Sequence, residues 1–168
     1  MKSTTPKIKN SDNSKKYWLL KSEPESYSID QFKKDQTTWW EGVRNYQARN
    51  FMTKEMKAGD QFLFYHSNAT PPCVVGLGQI SKPAAPDPSA FNKKSDYYEP
   101  KSTPERPIWE CVEVKFLEKF PKPLSLAEVR EIDGLDKMIL IKKGSRLSIQ
   151  PVTKTEFDLI LELCRSIK

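Results

Sequence analysis

The residues with the most chemistry per unit length stand together at Trp39-Trp40-Glu41-Gly42-Val43-Arg44-Asn45. On an extended segment, neighbouring side chains face opposite ways. One tryptophan can therefore enter a core while the other faces a cleft. Trp40 is expected to be the cleft residue and Trp39 the core residue, because Trp40 joins directly to Glu41-Gly42, where the chain turns toward Arg44 and Asn45. Those two residues fall near the start of a helix, whose free N–H groups favour an anion. An indole face beside such a site suits a flat ring attached to a phosphate, which describes a nucleotide. The same residues also fit a core tryptophan pair followed by an ordinary helix start.

Two further clusters carry polar chemistry. Tyr65-His66-Ser67-Asn68 closes an expected strand and holds the single histidine of the chain. His66 with Cys73 or Cys111 would suggest a thiol hydrolase, but Cys73 follows Pro71-Pro72 in what reads as a turn. An imidazole bonded to backbone groups accounts for His66 as well. Lys142-Lys143-Gly144-Ser145-Arg146-Leu147-Ser148 gathers three cations and two hydroxyls, the composition of a phosphate-positioning loop or of a solvated turn. Glu23 beside Pro24 and Glu41 beside Gly42 offer carboxylates whose separation nothing in the sequence fixes. There is no Walker loop, no GxSxG, no HExxH and no HxE…PCxxC pattern. Three cysteines, odd in number and widely spaced, point to buried thiols in place of a disulfide framework or zinc site. No catalytic residue, metal ion or cofactor is expected.

The elements that must position these groups are legible from their boundary residues. Tyr17-Trp18-Leu19-Leu20-Lys21 reads as a strand, left through Ser22-Glu23-Pro24. Ser28 with Gln31, Ser125 with Glu128, and Thr153 with Glu156 form capping boxes that open helices. A further helix is expected from Tyr46 to about Met56, with Ala48, Phe51, Met52 and Met56 inward. The last helix places Phe157, Ile160, Leu161 and Cys164 on one face. Strands are expected over 60–67, 74–80, 108–117 and 147–149. Gly76 and Gly78 share one strand face, which suggests close approach of a backbone or a ligand. Residues 81–107 are rich in Pro, Ser, Lys and Asp around Phe91, Tyr97 and Tyr98, and read as a packed or functional surface loop. Mixed short turns and helices between strands indicate an α+β fold, a small twisted barrel with helices at its edges.

The chain has 168 residues and a net charge of +6. Residues 1–16 carry Lys2, Lys7, Lys9, Lys15 and Lys16 against Asp12, so +4 of that charge sits there. This Lys/Ser/Thr/Asn segment has too little apolar surface to order itself and reads as a basic tail, leaving 17–168 as one domain. No apolar run approaches the ~20 residues of a membrane helix, and no signal-peptide core is present.

The segments Trp18–Glu25, Trp40–Phe51, Phe64–Ser67 and Ser145–Val152 resemble the EVE domain, and more closely the thymocyte nuclear protein family. The resemblance runs from Tyr17 to Cys164. It implies a PUA-like fold, a twisted, partly closed β-barrel decorated by helices, related to the YTH domain that holds a methylated adenine in an aromatic cage. It implies a non-catalytic module that recognises a modified base, with modified cytosine in DNA the leading ligand. A small enzyme acting on a modified nucleotide, an RNA-binding module and a protein-interaction module remain open. In the implied pocket Trp40 stacks on the base. Ser22, Glu23, Asn45 and His66 supply hydrogen bonds to its edge. Lys21, Arg44, Arg49 and Arg146 contact phosphates or hold the pocket. Glu41 stands where the comparison with the YTH domain expects a small polar residue; facing the pocket it would accept from an exocyclic amine such as cytosine N4, and it would also repel a phosphate. Gly42, Val43, Tyr65, Ser67 and Ser148 complete the implied site. The partner is a nucleic acid with a modified base, and no membrane is involved. A monomer is expected, in the cytoplasm of a bacterium or the nucleus of a eukaryote.

Overall fold

The structure, a computed structural model, describes residues 15–166. Most of the expected basic tail, residues 1–14, lies outside the described residues. Among these, six strands form one sheet: β1 (Tyr17–Ser22), β2 (Thr37–Trp39), β3 (Gln61–His66), β4 (Cys73–Pro86), β5 (Glu110–Ser125) and β6 (Ile149–Val152). Their order is β2-β5-β4-β3-β1-β6. β1 and β3 run parallel and the other pairs antiparallel. β2 and β6 end the sheet without pairing to each other, so the twisted sheet stays open. The α+β reading is thus met.

Alternation along the central strands gives each face its own core. Trp18 and Leu20 of β1 join Phe62 and Phe64 of β3 on one face; Leu19, Leu63 and Tyr65 point to the other. Helices α1 (Ile29–Asp35) and α2 (Tyr46–Asn50) add Ile29, Phe32 and Ala48 to the first core. Helices α3 (Leu126–Glu131) and α4 (Lys154–Arg165) add Val129, Phe157, Ile160 and Cys164 to the second. Phe32, Phe62 and Phe64 are fully buried, each contributing roughly 1.5–3 kcal/mol through removal from water.

The capping boxes at Ser125/Glu128 and Thr153/Glu156 form in both directions. At α1 the box is half made. Ser28 Oγ accepts from the Gln31 N–H at 3.0 Å, but the Gln31 amide donates to Asp35, a charged acceptor one turn on, at 2.8 Å. The helix expected through Met56 tightens its hold differently. After Asn50 it widens into a π-type turn over Phe51–Glu55, which keeps Met52 and Met56 buried.

Other boundaries moved. β4 and β5 run longer than expected and shift register repeatedly, which lets two long strands bend together. Loop 81–107 therefore starts beyond Pro86, and it packs inward through Asp87, Ser89, Ala90 and Ser102. The final strand lies later than expected and includes Pro151, tolerated because β6 is an edge. The two glycines of β4 are approached by the protein itself. A Cβ on Gly76 would strike the Ile29 side chain and the Glu118 carbonyl, and the Phe62 ring lies over Gly78. Buried Asp60 ties the chain entry to β3: its carboxylate accepts from Trp18 Nε1 at 3.1 Å and from the Lys16 and Lys57 backbone N–H groups at 3.0 Å.

Candidate nucleic-acid interface

The register of the parallel pair brings Ser22 level with His66, so the exits of β1 and β3 leave the sheet side by side. A cavity of about 800 Å³ opens there. Its walls come from the β1 exit (Lys21, Ser22, Glu23, Ser26, Tyr27), from Thr38 through Arg44, from Ser67 and Tyr97, and from Ser145, Arg146 and Ser148. Backbone bonds hold these separate segments. The Lys21 N–H donates to Ser148 O at 2.9 Å and the Ser67 N–H to Ser22 O at 3.2 Å. Ser22 Oγ donates to Tyr27 O at 2.8 Å, closing the turn after β1. Gln150, buried to 1 % exposure, donates its amide to Leu147 O at 2.9 Å and steadies the Ser145–Ser148 loop.

The tryptophan pair divides differently from expectation. Neighbours do face opposite ways, but Trp40 is the one on the core side. It is 8 % exposed, and its ring meets Phe64, Phe62 and Tyr27 edge-on at 5.6, 6.0 and 6.4 Å. Trp39 is half-buried, with the Lys82 ammonium 6.0 Å from its ring, and is not a core residue. Both residues line the cavity. The cause is β2, which the sequence reading missed: paired to β5, it sends Trp40 over the Phe62/Phe64 face.

Beyond Trp40 the chain is clamped by one buried carboxylate. Asp87 is fully buried and accepts from the Gly42 N–H at 2.8 Å, from Arg44 Nη1 at 3.1 Å, and from the Ser89 N–H and Oγ at 2.8 and 2.5 Å. Burial alone would raise its pKa, but the hydrogen bonds from Ser89, Gly42 and Arg44 together outweigh that and hold its carboxyl below the ordinary value. Arg44 also donates to Tyr97 O from Nε and Nη2, at 3.2 and 2.6 Å. This pulls Tyr97 over Gly42. Gly42 has φ +84°, and a Cβ there would lie 2.7 Å from the Tyr97 ring, so glycine is required on both counts. Arg44 thus ties Tyr97, Asp87 and Ser89 together at the cavity wall.

The cavity mixes charges. Lys21, Arg44 and Arg146 share its lining with Glu23 and Glu41. Burial lowers the Lys21 pKa. Burial, and then the nearby Asp87 charge, raise the Glu41 pKa against the pull of Arg44. Arg146 is exposed and makes no ion pair among the described residues.

Of the expected site residues, Lys21, Ser22, Glu23, Trp40, Glu41, Gly42, Val43, Arg44, Ser67, Arg146 and Ser148 line this cavity. Asn45, Arg49, Tyr65 and His66 are placed elsewhere, each with a structural partner. Asn45 caps α2 by accepting from the Ala48 N–H at 3.0 Å. Arg49 donates to Ile108 O and to Asn50 Oδ1. Tyr65 points into the opposite core because strand alternation separates it from Phe64. His66 accepts at Nε2 from the Ile29 N–H at 3.3 Å, and its Nδ1 lies 3.1 Å from Ser22 O, so the partners select a neutral ring protonated at Nδ1. The sequence reading missed Ser26, Thr38 and Tyr97, and read Tyr27 only as the staple of α1. An aromatic inside a polar loop was the one available signal for Tyr97. A second cavity of about 620 Å³, lined by Tyr17, Trp18, Phe51, Pro151 and Val152 beneath Lys16 and Lys154, contains none of the expected site residues. Among the described residues no His, Cys, Asp or Glu cluster is arranged to hold a metal, and no helix is long and apolar enough to cross a membrane.

Comparison with known proteins bears on this geometry. The family model for the EVE domain matches residues 16–163. Thymocyte nuclear protein 1 of Gallus gallus is 44 % identical over 166 residues, covering 88 % of this chain and 68 % of that one. The crystal structure of human THYN1 protein in complex with 5-methylcytosine containing DNA superposes with a TM-score of 0.82 at 40 % identity, covering 91 % of this chain and 99 % of that one. The YTH domain of Zygosaccharomyces rouxii MRB1 protein, solved with N6-methyladenosine RNA, reaches a TM-score of 0.54 at 16 % identity, covering 93 % of this chain and 88 % of that one. That last likeness is one of fold alone.

Proposed function

The chain belongs to the EVE domain family, and we propose that it is a non-catalytic reader that takes a modified base, 5-methylcytosine in DNA foremost, into the cavity between Trp39, Trp40 and Tyr97. One observation carries the reading: aromatic, hydroxyl, carboxylate and cationic residues together line a space of about 800 Å³, enough for a nucleotide. Support also comes from the human relative crystallised with 5-methylcytosine DNA. Trp39 and Trp40 give the base an aromatic wall. Glu41 accepts from the exocyclic N4 amine of cytosine. Lys21 and Arg146 attract the phosphates at the mouth, and Arg44, tied to Asp87, keeps the wall in place. A flipped base costs unstacking, which stacking and edge hydrogen bonds must exceed. Ser22, Ser67 and Ser148 complete the polar lining. The domain spans residues 17–168 and acts as a monomer. The cytoplasm is its place in a bacterium and the nucleus in a eukaryote, the compartment named for its relatives.

A binding screen over modified and unmodified single- and double-stranded oligonucleotides tests this. Selective binding with the oligonucleotide recovered unchanged is the expected result. Chemical conversion of the modified base would make the protein an enzyme, and equal binding of all oligonucleotides would remove the reader function.

A further inference from the structure

An aromatic and basic surface continues away from the cavity on the side of α2. Arg44, part of the cavity wall, stands 5.4 Å from the Tyr97 ring and 5.2 Å from the Trp109 ring. Trp109 is 6 % exposed, and Tyr46 stacks on it at 4.9 Å with an interplanar angle of 26°. The Trp109 Nε1–H has no acceptor among the described residues, so ring contacts hold this side chain. Tyr46 itself is 60 % exposed, the largest exposed aromatic among the described residues. Arg49 stands 4.8 Å from the Tyr46 ring and 5.8 Å from the Trp109 ring. Had Arg49 covered the outer face of Tyr46, it would lie much farther from Trp109 than from Tyr46. It sits instead beside the stacked pair, and the outer face of Tyr46 is left to solvent. Three Arg49 bonds, to Ile108 O and Asn50 Oδ1, fix the guanidinium and leave N–H groups over.

We infer that Tyr46, backed by Trp109 and flanked by Arg49, is a stacking platform for a nucleotide on the same strand as the base in the cavity. The inference rests on the reader function above and extends it to the flanking strand. The platform is contiguous with the cavity through Arg44, which touches the Tyr97 ring of the cavity wall and the Trp109 ring behind Tyr46. Its parts suit that partner: an exposed ring face for a base of any sequence, and spare guanidinium donors for a phosphate. Tyr46 and Arg49 are neighbours one turn apart on α2, and the Asn45 cap fixes the start of that turn. The contact adds affinity without sequence preference, since every base has a stacking face.

The test compares Tyr46→Ala, Tyr46→Phe and Arg49→Gln with the unaltered chain. The probes are free 5-methyl-2′-deoxycytidine and a single-stranded 11-mer with one central 5-methylcytosine, each beside its unmethylated counterpart. Tyr46→Ala should weaken the 11-mer roughly fivefold to a hundredfold, leave the free nucleoside unaffected and keep the methyl preference. Tyr46→Phe should bind as the unaltered chain does. Arg49→Gln should reduce the slope of log K against log salt by about 0.7. Melting curves confirm that each variant is folded, and Tyr46→Phe keeps the proposal testable should the alanine variant unfold. Unchanged 11-mer binding by folded Tyr46→Ala overturns the platform while leaving the reader function intact. Loss of nucleoside and 11-mer binding alike would also overturn it, placing Tyr46 in the cavity's own support. Failure of the unaltered chain to prefer either methylated probe removes the reader function and the platform with it.

Discussion

Trp40 keeps 8 % of its surface and meets three aromatic rings, so alanine there removes core volume as well as cavity wall. Such a change costs ~3–5 kcal/mol, a fall in melting temperature of roughly 10 °C at this size. Trp39 is half-buried and outside both core clusters. Trp39→Ala should melt within a few degrees of the unaltered protein and lose roughly fivefold to a hundredfold in affinity for a methylated oligonucleotide. Paired melting and binding titrations separate the two. A stable Trp40→Ala with normal binding would mean the wall is misidentified. Glu41 supplies a pH test. Its pKa is raised, first by burial and then by Asp87. Ionised, it is the stronger acceptor, so affinity is highest above that raised pKa and declines as pH falls through it. The decline should therefore begin at higher pH than for an ordinary glutamate, and Glu41→Gln should weaken binding at neutral pH and flatten the decline. Identical pH profiles for the two proteins would exclude Glu41 as the acceptor. The thiols follow burial too: Cys111 and Cys164 are fully buried and pushed up to about 12. Both should resist thiol labelling in the native protein, with half-buried Cys73 the first to react.

Elements with a local signature were legible, and those defined by partners far along the chain were not. Three helix starts announced themselves through Ser or Thr followed by Glu or Gln, because a cap is satisfied within three residues. Thr153→Ala should accordingly cost about 1 kcal/mol, read as an earlier melting of α4 and the core it carries. β2 and the full lengths of β4 and β5 escaped because three residues beside a tryptophan, or a register shift in a long pair, carry no periodic signal. The same holds for the clamp between Asp87 and the turn at Gly42, whose partners lie 45 residues apart. Asp87→Ala should leave Arg44 and the Gly42 N–H without their acceptor, at a cost of about 2–4 kcal/mol, and loosen Tyr97 from the cavity. The depressed Asp87 pKa fixes the sign of the pH dependence. Its contribution is present above the ordinary aspartate value near 3.9 and is lost as pH falls through the lower, folded value. Asp87→Asn should therefore be less stable at neutral pH and less sensitive to acid. An unaltered acid limb in thermal melts of Asp87→Asn would show that the clamp is not what holds this segment.

For the molecule as a whole, the mix of short turns and helices between strands indicated the fold class and the family motifs indicated the cavity region, since Trp18–Glu25, Trp40–Phe51 and Ser145–Val152 supply most of its walls. Residue type did not distinguish wall from support. His66 and Asn45 have the side chains of a base reader, but lie outside the cavity wall, His66 bonded to backbone groups and Asn45 capping α2. The charge distribution gives a separate expectation. Residues 1–14 carry three lysines against one aspartate, so their removal should weaken nucleic-acid binding equally for all sequences and lower the salt slope by up to about 2. Loss of methyl preference with an unchanged slope would contradict that assignment. The central claim is that the cavity senses a base modification, and one comparison reaches it most directly. Affinity is measured for two oligonucleotides identical except for a methyl group at C5 of one cytosine. A buried methyl group is worth ~0.8 kcal/mol or more, so the methylated oligonucleotide should bind at least about fourfold more tightly, and the difference should vanish in Trp39→Ala. Equal affinity of the unaltered protein for both oligonucleotides would contradict the account.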